Sequence, residues 1–184
     1  MQAGMLVAFL VFKSFVHEQD FTPKQSHPAS TSKAISIGLK WLLIAYPIMI
    51  AINLTSRTLL NALGFEQVIQ DPIQMVQEGG TTIELVAMYG IIVIVAPICE
   101  EVAFRGGIFR YLHHRMHLYA SVGLSAFFFA LLHANLYSFA PLMTIGAMLA
   151  FAYRESGSLV SCITFHAVFN SLNLALLLLF PDLT

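Results

Sequence analysis

Residues 81–116 read TTIELVAMYGIIVIVAPICEEVAFRGGIFRYLHHRM. Leu85 to Cys99 is uncharged and almost wholly apolar; then Glu100 and Glu101 arrive together, with Arg105 four residues beyond the second. At 1.5 Å per residue such a stretch is long enough to cross a hydrocarbon layer of about 30 Å. It is expected to run as one helix from Thr81 through Pro97 to about Met116. The helix leaves the bilayer near Leu112, where His113, His114 and Arg115 mark the interface. Charges in the middle of a membrane helix are costly, so this helix must be one wall of a bundle that shelters them.

The rest of the chain agrees. Its 184 residues are 58% hydrophobic and 10% charged, with a mean hydropathy of +0.77. Soluble domains carry about 25% charged residues, so a water-facing surface cannot be built from this composition. The net charge of −1 offers nucleic acid no basic surface. Cys99 and Cys162 lie in apolar runs and read as buried thiols. The expected fold is all-α, a polytopic transmembrane bundle of about five or six membrane helices with the first incomplete. Residues 1–12, MQAGMLVAFLVF, lack the basic start and cleavage site of a signal peptide and are too short to cross alone, so the chain is expected to begin inside a helix. A polar connector follows at 13–33. Further spans are expected at 34–54, 118–140, 141–153 and 157–180, with a mixed stretch at 55–80 that has room for a short interfacial helix. Residues 1–80 read as N-terminal helices and connectors, and 81–184 as the core, within one membrane domain.

Alternating these spans gathers Lys13, Lys24, Lys33, Lys40, Arg105, Arg110, Arg115 and Arg154 toward one side and leaves Arg57 near the other, with Glu66, Asp71 and Glu78. By the positive-inside rule the basic side is cytoplasmic, in the cell membrane if the chain is bacterial.

Glu101 and Arg105 are four apart, share a helix face and can pair. Glu100 points about 100° away and has no basic residue three or four positions on, so it needs a partner from another helix. Counting inward from the basic side, Glu100 lies ~18 Å deep, His133 ~22 Å and His166 ~14 Å. All three fall near the bilayer's middle. His166 and Asn170 share a face and can aim two donors at one point. Phe129 and His133 also share a face, so the phenyl ring limits the imidazole's rotamers.

These residues lie in three strings: EEVAFR (Glu100 to Arg105), FALLH (Phe129 to His133) and HAVFN (His166 to Asn170). In order they resemble the EExxxR, FxxxH and HxxxN motifs of the CPBP intramembrane peptidases. That family includes the type II CAAX prenyl endopeptidases and the bacterial Abi, or bacteriocin-processing, proteins. The resemblance covers Glu100 to Asn170, roughly two-fifths of the chain. It implies an intramembrane endopeptidase in which Glu100, with His133, positions and deprotonates a water. His166 and Asn170 would donate to the oxyanion, and Glu101, Arg105 and Phe129 would support them. The chemistry fits: a general base must hold its water at hydrogen-bond distance, and oxyanion donors in a dry cavity are worth about 10²–10³ in rate each.

The partners this implies are membrane lipid and a peptide or protein substrate, lipidated in the CAAX case. No cofactor is required by a glutamate mechanism. The alternative is zinc on Glu100, His133 and His166 with a fourth position for water, which would take the same carboxylate out of service as base. Two other classes remain: an ion- or proton-coupled transporter using the same cluster as a relay, and a non-catalytic immunity or scaffold protein. His113, His114 and His117 read as a water-facing interfacial set, Trp41 and Tyr46 as an aromatic belt, and Gly106 and Gly107 as a point of close helix approach.

Overall fold

Local capping signals set where the helices begin. The Thr81 hydroxyl accepts from the Glu84 amide while the Glu84 carboxylate accepts from the Thr81 amide at 2.8 Å, so two donors that a helix start would leave unmet are satisfied reciprocally. The computed structural model describes residues 28–66 and 81–179, and every regular element among them is a helix. These are α1 (Thr31–Ala62), α2 (Thr82–Arg115), α3 (Leu118–Leu132), α4 (Leu136–Ser156) and α5 (Leu159–Leu179). All but α3, which has 15 residues, are long and apolar enough to cross a membrane. The expected span at 1–12, residues 13–27 of the connector and any interfacial helix at 67–80 lie outside the described residues, and the connector's last three residues, 31–33, open α1.

Two expected boundaries move. α1 runs on to Ala62, through Pro47 and the first eight residues of the mixed stretch at 55–80. The break expected at Pro141 falls instead at residues 133–135. Ala134 adopts a left-handed φ of 48°, which ends α3, and the Asn135 side chain caps α4 by accepting from the Ser138 amide at 3.0 Å. Pro141 then lies early inside α4, where its missing N–H deprives only the Tyr137 carbonyl of its usual partner. The interfacial histidines are also more engaged than expected. His117 caps α3 through the Ala120 amide at 3.2 Å, and His113 stacks on Phe109 with ring centroids 5.4 Å apart.

α1 packs on α4 and α5, and α3 packs on α4. Leu42 and Met49 of α1, Phe109 of α2, Val122 of α3, Leu149 of α4 and Phe165 of α5 meet in one buried core. Lipid offers apolar side chains no hydrophobic reason to leave it, so tight packing depends on small residues that let backbones approach. That happens at Gly38, where a Cβ would lie 2.3 Å from the Ser161 carbonyl oxygen, and at Gly146, where one would lie 3.0 Å from Ala126 Cα. At Gly106 a Cβ would meet nothing nearer than Leu159 at 3.5 Å, an ordinary contact, so the approach expected there is not what that glycine provides.

At one end of the bundle Lys40 pairs with Glu155 at 2.5 Å, Trp41 donates to the same carboxylate at 2.8 Å, and Arg110 meets the Tyr153 hydroxyl. Basic residues from α1 and α2 thus share an end with the close of α4. At the other, the Tyr137 hydroxyl lies 2.7 Å from both Asn61 Oδ1 and the Phe65 carbonyl, tying the close of α1 to the start of α4.

α2 is not uniform. Wide π-helical turns at Ile91–Val95 and Phe104–Phe109 flank the α-helical Ala96–Ala103. Each wide turn re-aims the face beyond it, and such turns recur at functional sites. Between them stand Glu100 and Glu101, both buried.

Gly38→Val should lower stability by about 1–3 kcal/mol, because α1 and α5 must separate to admit the branched side chain. Thermal unfolding in detergent micelles checks this. A melting temperature equal to wild type would show that the α1–α5 contact is not held at this distance.

Candidate functional site

Glu101 and Arg105 are fully shielded from solvent, and Glu100 and His166 are each 5% exposed. Burial in lipid leaves no water to solvate these groups, so each must be met by the protein. Arg105 Nη1 donates to Glu101 Oε1 at 2.9 Å, as the four-residue spacing predicts. Arg105 Nη2 donates to the Gly146 carbonyl at 2.9 Å, and the guanidinium lies over the Phe129 ring, 4.7 Å from its centroid. One side chain of α2 is thereby fastened to α4 and α3. Glu101 Oε2 and Arg105 Nε make no further hydrogen bond among the described residues.

His166 enters from α5 and reaches both carboxylates. Its Nδ1 lies 2.9 Å from Glu101 Oε1, the atom that Arg105 also binds, and its Nε2 faces Glu100 Oε2 at 3.8 Å. A carboxylate paired to a guanidinium only accepts, so the Nδ1 proton belongs to the histidine. Glu101 therefore fixes the tautomer and aims Nε2 toward Glu100.

His133 closes α3 and is half-buried. Its Nδ1 lies 2.8 Å from the Phe129 carbonyl oxygen. A carbonyl cannot donate, so Nδ1 carries the proton, and in the neutral ring Nε2 is the free acceptor. The Phe129 ring is shared: its centroid is 5.0 Å from that of His133 and 5.9 Å from that of His166, edge-to-face with the latter. Phe104 completes the aromatic wall, 5.2 Å from Phe129 and perpendicular to it.

Asn170 lies one turn beyond His166 on α5. Its Nδ2 donates to the Ile92 carbonyl at 2.8 Å, inside the first wide turn of α2. A side-chain amide has two N–H groups, so one remains after that bond.

Of the residues singled out by sequence, Glu100, Glu101, Arg105, Phe129 and His166 form one connected cluster. His133 joins it through the Phe129 ring, and Asn170 is anchored beside it on the α2 backbone. Among the described residues no three His, Cys, Asp or Glu side chains are gathered into a metal-binding set, so Glu100, His133 and His166 do not stand as one. Cys99 and Cys162 are buried free thiols, as expected.

The Glu101–His166 contact has no mark in sequence spacing. Helical spacing assigns Glu101 to Arg105, and nothing in spacing says that one oxygen serves two helices. The signal was the Glu-Glu adjacency, because a histidine has two ring nitrogens and each needs a partner. The Gly146 and Ile92 carbonyls were missed because backbone acceptors leave no mark in residue type.

Residues 82–172, which contain all of these side chains, match the family model described as Rce1-like, type II CAAX prenyl endopeptidase Rce1-like. No curated protein and no solved structure gives a significant match. With EExxxR, FxxxH and HxxxN in order along that segment and their side chains drawn together between α2, α3 and α5, residues 82–172 of the chain are those of an Rce1-like, type II CAAX prenyl endopeptidase region.

Proposed function

We propose that the cluster hydrolyses a peptide bond with a water activated by Glu100 and His133. The proposed substrate is a peptide whose C-terminal region carries a prenylated cysteine, as the family description suggests. The observation that carries the reading is His166, held by Glu101 at 2.9 Å and presented to Glu100 at 3.8 Å, all three side chains being buried. A family of endopeptidases favours hydrolysis over a proton relay built from the same groups.

In this mechanism Glu100 takes one proton from the water, while the free Nε2 of His133 accepts a hydrogen bond from it and holds its lone pair toward the substrate. The oxygen attacks the peptide carbonyl carbon, and the carbonyl oxygen becomes an oxyanion. With Nε2 protonated, His166 donates to that oxygen, and the second N–H of Asn170 donates beside it. In that state Glu100 is neutral, and the single net positive charge of Glu101, Arg105 and His166 is balanced by the oxyanion, which a low-dielectric site favours. The carbon–nitrogen bond then breaks, and the departing amine receives the proton that Glu100 took. Glu101 and Arg105 act through His166 and touch no reacting atom. The basic ends of α1 and α2 face the cytoplasm in this reading.

Glu100→Gln keeps the shape and removes the base. Hydrolysis of an internally quenched peptide carrying an S-farnesyl cysteine should fall by at least about 10³-fold in purified, folded protein. Turnover at the wild-type rate would remove Glu100 from the mechanism. Glu101→Gln should lower kcat by about 10–100-fold with KM little changed, because the charged acceptor that orients His166 becomes a weaker neutral amide oxygen. A change confined to KM would assign Glu101 to substrate binding instead.

Arg105→Ala leaves Glu101 buried and unpaired, and should destabilise the protein by about 3–5 kcal/mol, read by thermal unfolding. An unshifted transition would mean that the pair is hydrated. Exhaustive dialysis against a strong chelator should leave turnover unchanged. Activity lost on dialysis and restored by zinc would replace the carboxylate base with a metal-bound water.

A further inference from the structure

The carbonyl that Asn170 binds is one that α2 cannot satisfy by itself. In an α-helix Ile92 O would accept from the Ala96 amide, but within the wide turn that amide donates to Ile91 O. The next donor in π-helical register belongs to residue 97, which is proline and has no N–H. Both helical partners of Ile92 O are therefore gone, and inside a membrane an unmet carbonyl must find a donor from the protein. Asn170 Nδ2 supplies it at 2.8 Å, across from α5. Pro97 is itself fully buried, at the head of the segment that carries Glu100 and Glu101.

We infer that Pro97 is a positioning residue for Asn170: by withholding the one helical donor that the wide turn leaves to the Ile92 carbonyl, it creates the acceptor that fixes the Asn170 amide. One N–H is committed to the backbone, the amide plane is set by that bond, and the second N–H is held where an oxyanion donor is needed. The same bond pins the wide turn of α2 to α5, and so sets the pose of Glu100 relative to His166. Its catalytic consequence rests on the oxyanion role proposed above for Asn170, whereas the physical link between residues 97 and 170 does not.

The test is a double-mutant cycle on full-length protein in lipid nanodiscs, using Pro97→Ala, Asn170→Leu and the pair. Asn170→Leu is close in size and has no N–H, so alone it leaves Ile92 O unmet and should lower the melting temperature. Pro97→Ala gives residue 97 an N–H, so in that background Asn170→Leu should cost at most half as many degrees. Equal losses in the two backgrounds would overturn the link. If Asn170→Leu does not fold alone, Asn170→Ser takes its place in both backgrounds.

On the farnesylated peptide, Pro97→Ala alone should lower kcat by about 10²-fold with KM little changed, the scale expected when a catalytic group is misplaced by about 1 Å. In the Asn170→Leu background the same substitution should add little further loss. Wild-type turnover by a well-folded Pro97→Ala variant would overturn the positioning role even if the thermal coupling is present. A wild-type protein inert toward the peptide would count against the peptidase reading alone, because the thermal cycle needs no substrate and still decides the link.

Discussion

Glu101 Oε1 accepts from Arg105 on its own helix and from His166 on α5, both at 2.9 Å. In water such a pair of bonds would be one exchange among many. In a medium without water the alternative is an uncompensated charge, so the two bonds become a condition that any arrangement of the helices must meet. Arg105 extends the condition to α4 through the Gly146 carbonyl and to α3 through the Phe129 ring. Apolar packing between lipid-bathed helices tolerates sliding and rotation. A network of directional bonds does not, so this one sets the register of four helices around the point where the chemistry is proposed to occur.

Much of this was legible in the sequence because a membrane amplifies the meaning of polar residues. In a soluble protein a histidine on a helix says little, yet His133, His166 and Asn170 in apolar runs, at depths matching Glu100, could be expected to converge. Helix existence was equally plain from hydropathy. What stayed hidden was finer. Proline is the louder breaker and points to an α3–α4 boundary at Pro141, whereas the turn is made by Ala134 in a left-handed conformation and by the Asn135 cap. The close approaches at Gly38 and Gly146 cannot be told from other glycines without knowing which helices face each other. The wide turns of α2 leave no compositional trace beyond Pro97. Yet they rotate the carboxylate face and expose the carbonyl that Asn170 binds.

The two buried carboxylates divide the work that their adjacency disguises. Glu101 is saturated on one oxygen by a guanidinium and an imidazole, so it is a fixed electrostatic support. Glu100 stands farther from its histidine, at 3.8 Å, close enough to feel the ring and too far to be consumed by it. In the proposed mechanism Glu101 is the fixed support and Glu100 the base. A two-residue motif read only as EE conceals that asymmetry.

The brevity of α3 has a consequence for the solvent. Fifteen residues rise ~22 Å, about 8 Å less than the hydrocarbon is thick. Set in a bilayer from one interface, α3 would bring the polar turn that carries His133 below the level of the lipid head groups, a mismatch met by thinning of the leaflet. Such thinning would bring water closer to that turn. A reaction that consumes a water molecule in the driest part of the cell would then be supplied through a defect that the protein itself imposes on the bilayer.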